Sequence, residues 1–320
     1  MEEFPSPLAR ERTLMSIVVP VMNEALGLRD FASELKSCVE SLPIDVEVIF
    51  SDDGSTDSSW AIIQDLSVKC SLFRGVSLSR NFGKDAAIMA GLNVAAGDAV
   101  LVMDADGQHP IELIPEFVTA WLAGEGEIVE ARKTSRPGQG LLTRAAAIAF
   151  NRLFTLLAGV DMNDATDFRL MSRSVVDVLL AMPERAVFFR GLSAWTGFHS
   201  CVIEFDPKPR ADFGKSRFSL FALVKVALRS LISFTSTPLH VVTFTGLTFG
   251  VFAIALAIQT LAHWMAGDAV EGFTTVILLL LIIGSAIMLA LGIIGLYIGQ
   301  ILDEVKSRPK YLIARKTERC

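Results

Sequence analysis

Val100-Leu-Val-Met-Asp-Ala-Asp106 is an apolar run that ends in two carboxylates one residue apart. An unbroken apolar run of this length marks a strand buried on both faces, as in a parallel sheet. In extended chain, positions i and i+2 point the same way, so Asp104 and Asp106 share a side. A divalent cation on a diphosphate takes a few hard oxygen ligands and keeps open positions for substrate. Mg²⁺ or Mn²⁺ suits that chemistry, and Gln108 adds an amide oxygen two residues further on. The same Asp-x-Asp pattern also caps turns, so on these residues alone both readings stand.

Outward from this strand the chain alternates. Leu14–Val19, Val46–Phe50, Phe73–Leu78, Ala99–Met103 and Glu127–Ala131 read as strands. Between them Ala25–Val39, Trp60–Val68, Ala86–Ala95 and Glu112–Leu122 read as helices. Leu28, Phe31, Leu35 and Val39 show the spacing of a buried helical stripe. Strands alternating with helices predict right-handed crossovers and an α/β, doubly wound, mostly parallel sheet. Ligands of such sheets bind beyond the carboxyl ends of the strands. The polar clusters lie there: Asn23 and Glu24, Asp52 and Asp53, Asp104 and Asp106, then Arg132.

Two of those clusters lead into helices. In Ser51-Asp-Asp-Gly-Ser-Thr-Asp57, Asp57 suits a helix cap and Gly54 a tight turn. Asp52 and Asp53 suit hydrogen bonds from a base or ribose, or the same capped turn without a ligand. In Ser79-Arg-Asn-Phe-Gly-Lys84, Lys84 opens the next helix, where anions are favoured. A phosphate contact and a solvated basic loop both fit that stretch.

Past Lys133–Gly140, a polar loop, Leu141–Leu157 reads as a helix and Pro207–Lys215 as another loop. In Phe218–Phe234, Phe221, Val224, Leu228, Leu231 and Ile232 recur at helical spacing, with Lys225 and Arg229 on another face. That pattern predicts an interfacial helix lying on a membrane, and an ordinary domain helix also fits it. Leu239–Gly267 and Gly272–Leu302 are uncharged but for Asp268 and Glu271 in the loop between them, and each exceeds the roughly 20 residues that cross a bilayer core. Lys306, Arg308 and Lys310 follow the second run, and no Lys or Arg lies between the two. The bias predicts a hairpin with both ends cytoplasmic. The polar stretch Met1–Arg12 has no apolar core of a signal peptide, which keeps the preceding domain in the cytoplasm on this reading.

The expected organisation is therefore a catalytic domain over 1–212, a juxtamembrane helix over 213–237, two spans over 238–302 and a cytoplasmic tail over 303–320. The formal net charge of −6 argues against a general nucleic-acid partner. Cys38, Cys70, Cys201 and Cys320 are scattered, without a metal or disulfide spacing.

Taken together, Val18-Val-Pro-Val-Met-Asn-Glu24, the Ser51–Asp57 and Ser79–Lys84 stretches and Asp104-Ala-Asp-Gly-Gln-His-Pro110 resemble family 2 glycosyltransferases of the GT-A fold. Glu130-Ala-Arg132, Leu142-Thr-Arg144, Thr166-Asp-Phe-Arg-Leu170, Gly214-Lys-Ser-Arg-Phe218 and Glu304–Tyr311 extend the resemblance to the polyisoprenyl-phosphate branch. The resemblance runs from Met15 to Tyr311. It implies inverting transfer of a sugar from a UDP- or GDP-linked donor to a polyisoprenyl phosphate. Undecaprenyl phosphate is the carrier implied for a bacterial source, and the setting is an inner membrane and its cell-envelope glycans, such as modified lipopolysaccharide. By the same resemblance Pro20, Met22, Glu24, Asp52, Asp53, Lys84 and Ala105 hold the nucleotide sugar. Asp104, Asp106 and Gln108 hold Mg²⁺ or Mn²⁺. Arg132, Arg144, Arg169 and Lys215 meet the acceptor phosphate, and Asp167 joins Asp104, Asp106 and Arg132 as catalytic. A homo-oligomer, such as a tetramer, is compatible with it.

Two departures stand out. Asp164-Ala-Thr-Asp167-Phe-Arg lacks a glycine that relatives often carry, and Lys215-Ser-Arg217 replaces a common Glu-Ser-Lys. A processive polysaccharide synthase carries Gln-x-x-Arg-Trp, which this chain lacks. A transporter needs ionisable groups inside its spans; these spans hold no Asp, Glu, Lys or Arg, and His240 and His263 lie near the ends of the first and read as interfacial. A nucleotide-binding scaffold without catalysis would tolerate loss of Asp104 or Asp106.

Overall fold

The computed structural model describes residues 13–133, 165–184, 188–205, 237–265 and 273–317. They form two compact units. The first holds the described residues up to 205 together with those from 309 onward; the second holds those from 237 to 308.

The first unit is built on one sheet. Its strands are β1 (Leu14–Val21), β2 (Asp45–Asp52), β3 (Phe73–Leu78), β4 (Ala99–Val102), β5 (Ile128–Lys133), β6 (Ala165–Ser172), β7 (Ser200–Phe205) and β8 (Ile313–Lys316). The order across the sheet is β7-β5-β6-β4-β1-β2-β3-β8. β1 pairs in parallel with both β2 and β4, so the chain winds one way to β3 and then crosses to the other side of β1. That reversal opens a crevice at the carboxyl ends of β1 and β4, the usual ligand site of open α/β sheets. The helices are α1 (Leu28–Val39), α2 (Ser59–Lys69), α3 (Lys84–Val94), α4 (Ile114–Leu122), α5 (Arg173–Ala181) and α6 (Phe189–Trp195).

Burial explains the central strands. Met15, Ile17, Val18 and Val19 of β1 and Ala99 through Val102 of β4 are inaccessible to solvent. Both faces of these strands are covered, which is why their sequences read as unbroken apolar runs. On α1, Leu28, Phe31, Ala32, Leu35 and Val39 turn one stripe inward. The helix α3 is buried nearly all round and uses small residues to lie close: a Cβ at Gly91 would collide with Val18.

Two strands run against the rest. β6 pairs antiparallel with β4 and β5, and β8 pairs antiparallel with β3. The sheet is thus parallel-dominated but mixed. β8 lies within the tail expected over 303–320. Ile313–Lys316 forms the sheet's edge, where the Gly75 N–H donates to the Thr317 hydroxyl at 2.9 Å and Arg315 lies over the Trp60 ring.

The second unit contributes α7 (Thr237–Met265) and α8 (Phe273–Val305). Leu239–His263 and Ile282–Val305 are long and apolar enough to cross a membrane, each with a mean hydropathy of 2.2. The expected loop 133–140 from Thr134 on, the helix over 141–157, the loop over 207–215 and the amphipathic helix over 218–234 lie outside the described residues.

Candidate active site

β6 assembles the site. Its register with β4 pairs Ala99 with Ser172 and Val102 with Arg169. Continued past the end of β4, that register sets Asp167 opposite Asp104. An antiparallel strand entering at the carboxyl ends of parallel neighbours delivers its first residues to the same rim. Alternation does the rest: Phe168 points away from Asp167 and Arg169 into the core. There it meets Phe117 edge-on at 4.7 Å and stacks on His109 at 4.9 Å.

Two carboxylates brought together repel, and Lys84 resolves the conflict. Its ammonium lies 2.6 Å from Asp104 Oδ1 and 2.6 Å from Asp167 Oδ2. The other Asp167 oxygen faces Arg190, whose Nε donates at 3.1 Å and whose Nη2 lies 3.1 Å away. The result is an alternating chain of charge, Asp104–Lys84–Asp167–Arg190. Burial pushes the Asp167 carboxyl up, but Arg190 and Lys84 outweigh it and hold it well below the usual carboxylate range. Burial alone would lower Lys84; Asp167 and Asp104 overcome that and raise it.

Asp104 is also set from below. Its backbone N–H donates to His109 Nδ1 at 2.9 Å, and His109 Nε2 sits 3.8 Å from its carboxylate. Burial pushes the His109 pKa down, against the opposing pull of Asp104. Its Nδ1 is accordingly an acceptor, and Nε2 carries the proton. Asp106 Oδ1 accepts from the Gln108 N–H at 3.1 Å.

The β1–β2 side is joined differently. Asn23 has a positive φ of 57° and accepts from the Thr56 N–H at 2.9 Å. Its own N–H donates to Ser55 Oγ, Glu24 N–H to Ser59 Oγ and Ala25 N–H to Asp57 Oδ2. Asp57 also accepts from Ser59 N–H at the start of α2, although the N-cap of that helix is Ser58, one residue later. Asp52 is buried, with Ser77 Oγ at 2.8 Å and Ser55 N at 3.1 Å. Gly54, at φ 70°, packs on the loop before α3, where a Cβ would press on the Arg80 backbone.

Residues 16–180 match the family described as glycosyl transferase family 2. The chain belongs to that family. The SfII prophage-derived bactoprenol glucosyl transferase of Shigella flexneri is 37% identical over 306 residues, covering 94% of this chain and 97% of that one. The bactoprenol glucosyl transferase of Shigella phage SfV is 36% identical over 310 residues, covering 95% and 99%. Glucosyl-3-phosphoglycerate synthase from Mycobacterium tuberculosis, solved with Mn²⁺, UDP-glucose and phosphoglyceric acid, is 22% identical. It covers 69% of this chain and 78% of that one at a TM-score of 0.47.

Two residues that the resemblance placed in the site of this glycosyltransferase are enclosed in the fold. Asp53 is only 3% exposed, and its two oxygens accept from the Phe82 and Gly83 N–H groups at 2.7 and 2.9 Å. It therefore braces the loop that aims Lys84. Arg169 is 1% exposed. It donates to Ser193 Oγ and to the Thr166 carbonyl at 2.7 Å and lies 3.8 Å from Glu130. Enclosed in this way, the guanidinium pins β6 to α6. Arg132, half-buried, pairs with Glu130 at 2.8 Å on the rim. Pro20, Met22, Glu24, Ala105 and Gln108 are partly exposed around the same crevice, while Arg144, Asp164 and Lys215 lie outside the described residues.

Nothing in the sequence motifs marks Arg190 or His109 with a role. The one signal for Arg190 was a lone guanidinium inside Phe188-Phe-Arg-Gly-Leu192, an otherwise apolar stretch.

The glycosyltransferase fits a divalent cation held jointly with substrate. Asp104 is 23% exposed and Asp106 is partly exposed, both at the end of β4. Among the described residues no group of three or more acidic, His or Cys side chains forms a cage. Mg²⁺ bound through one or two carboxylates and completed by substrate phosphates needs no such cage.

Proposed function

We propose that this glycosyltransferase moves a sugar from a nucleoside diphosphate sugar to a polyprenyl phosphate at the cytoplasmic face of a membrane. One observation carries the reading. The match to bactoprenol glucosyl transferases spans 94% of the chain and so takes in both the charged rim and the apolar helices. Lys306 and Arg308 beyond α8 support the cytoplasmic side. The donor's nucleotide is UDP or GDP, and undecaprenyl phosphate is the favoured carrier.

In the reaction an acceptor phosphate oxygen attacks the anomeric carbon. The new oxygen–carbon bond forms as the carbon–diphosphate bond breaks, and the electron pair leaves on the nucleoside diphosphate with inversion. A phosphate monoester has a second pKa near ~6 and arrives largely dianionic. No proton has to be removed from it. Asp167, held ionised between two cations, accordingly serves as a counter-ion that aims Lys84 and Arg190. A base would need a pKa nearer neutrality. Asp104 and Asp106 would hold Mg²⁺ or Mn²⁺, which supplies positive charge to the departing diphosphate. Lys84 adds its own charge at the same place.

The test is a panel of radiolabelled UDP- and GDP-sugars offered with undecaprenyl phosphate and Mg²⁺ or Mn²⁺ to membranes carrying the protein. A lipid-linked sugar from one donor is the expected product. Failure with every donor would overturn the proposal.

A further inference from the structure

We propose that Arg190 holds the acceptor's phosphate, in the position that sequence motifs assign to Arg169; the proposal rests on the polyprenyl-phosphate reading above. Three independent observations support it. The first is access. Arg169 is enclosed, whereas the Arg190 side chain keeps 34% of its surface exposed. An anion arriving from outside reaches Arg190 without opening the fold.

The second is spare bonding capacity. A guanidinium carries five N–H donors in a planar fork. Arg190 turns Nε and one terminal nitrogen to a single oxygen, Asp167 Oδ1. The other terminal nitrogen has no bond among the described residues. A phosphate binds to that free edge while the pair with Asp167 stays intact. Arginine presents phosphate with paired donors, which a point charge does not.

The third is placement. Arg190 is the second residue of α6, and the N–H of Phe189 before it donates to Asp85 Oδ1 at 3.1 Å. Asp85 follows Lys84 in the chain. One dipeptide therefore ties the start of α6 to the ammonium that bridges Asp104 and Asp167. Phe189 itself is fully buried and lies beside the Arg169 guanidinium. Arg190 projects from a fixed platform, one carboxylate away from Lys84 and two away from the diphosphate end of β4.

Steady-state transfer by the full-length protein tests this, with acceptor and donor varied separately. R190Q is expected to raise the acceptor KM about tenfold or more and to leave the donor KM within about twofold. R190K should recover part of the loss. A second readout needs no turnover: farnesyl phosphate should raise the melting temperature of the wild-type protein and lose that effect in R190Q. A role only through Asp167 is separated by D167N/R190Q. Acting on the phosphate, R190Q still weakens the farnesyl phosphate shift in the D167N background; acting through Asp167, it adds nothing there, which overturns the assignment. Unchanged acceptor KM in R190Q, with normal transfer by the wild type, overturns the role of Arg190 alone. No lipid-linked product from the wild type overturns both this proposal and the function it rests on.

Discussion

The two sides of the crevice hold their carboxylates by opposite means. On the β1–β3 side, Asp52, Asp53 and Asp57 are satisfied by hydroxyls and backbone N–H groups. On the β4–β6 side, Asp104 and Asp167 are satisfied by Lys84 and Arg190. Neutral donors on fixed backbone are permanent fittings: removing one partner strands the other. Charged side chains on flexible stems are exchangeable. A metal ion, a diphosphate or a lipid phosphate carries the same kind of charge and can share or replace them. The first side is a shaped wall, and the second is the place where charge moves.

The largest effect should follow from loss of charge on the second side. D104N keeps the shape of the side chain and removes its ionic role. Turnover is expected to fall by about 10²–10³-fold, the scale for loss of one group that stabilises transition-state charge, while thermal stability changes little. A substitution on the first side should invert that pattern. In D53N one of the two backbone N–H groups meets an amide NH₂ in place of an acceptor. The expected cost is about 1–3 kcal/mol of stability, read by chemical denaturation. Turnover should fall less than in D104N, through loosening of the loop that carries Lys84. Equal losses of turnover in the two variants, with no loss of stability in D53N, would erase the distinction between wall and charge-bearing side.

The same contrast explains what could be read from the chain alone. Phe73–Leu78 is a strand with the expected ends, and the other parallel strands near the switch point differ from expectation by one or two residues at one end, or in β2 at both. Both faces of these strands are covered, so their apolar runs are unmistakable. β6 escapes such a reading because Ala165-Thr-Asp-Phe-Arg-Leu-Met-Ser172 buries an Asp and an Arg inside the sheet. β8 escapes it because two of its four residues are basic and its strand partner lies more than two hundred residues earlier. Residues at the ends of β1, β2 and β4 were legible as neighbours, since strand ends in this topology face one crevice. The enclosure of Arg169 was not legible, because an arginine in a motif does not show its surroundings. Glu130 and Ser193 stand 39 and 24 residues away and become its partners only when β5, β6 and α6 meet. Arg190 was invisible for the same reason, since Asp167 is 23 residues before it.

The smallest effect sharpens the comparison through pH. The Asp167 carboxyl lies below its usual range in the folded protein, because Arg190 and Lys84 outweigh the cost of burial. A depressed folded pKa adds stability at every pH above the unfolded value of about 3.9. That contribution is lost as pH falls through this value toward the folded one. D167N lacks the charge at any pH and strands Lys84 and Arg190 instead. The wild-type protein should therefore melt at a higher temperature than D167N at pH 7 and pH 5. The gap should narrow below about pH 4 as Asp167 takes up its proton. Melting curves of the two proteins between pH 3 and pH 7 read this directly. D53N serves as the control from the other side, since its deficit arises from hydrogen-bond geometry. Burial holds the Asp53 carboxyl above its usual range, so charge on Asp53 does not stabilise the fold as it does on Asp167. A gap for D167N that stays constant to pH 3 would mean that Asp167 is held by shape, as the wall residues are, and that its two cations contribute little to keeping it in place.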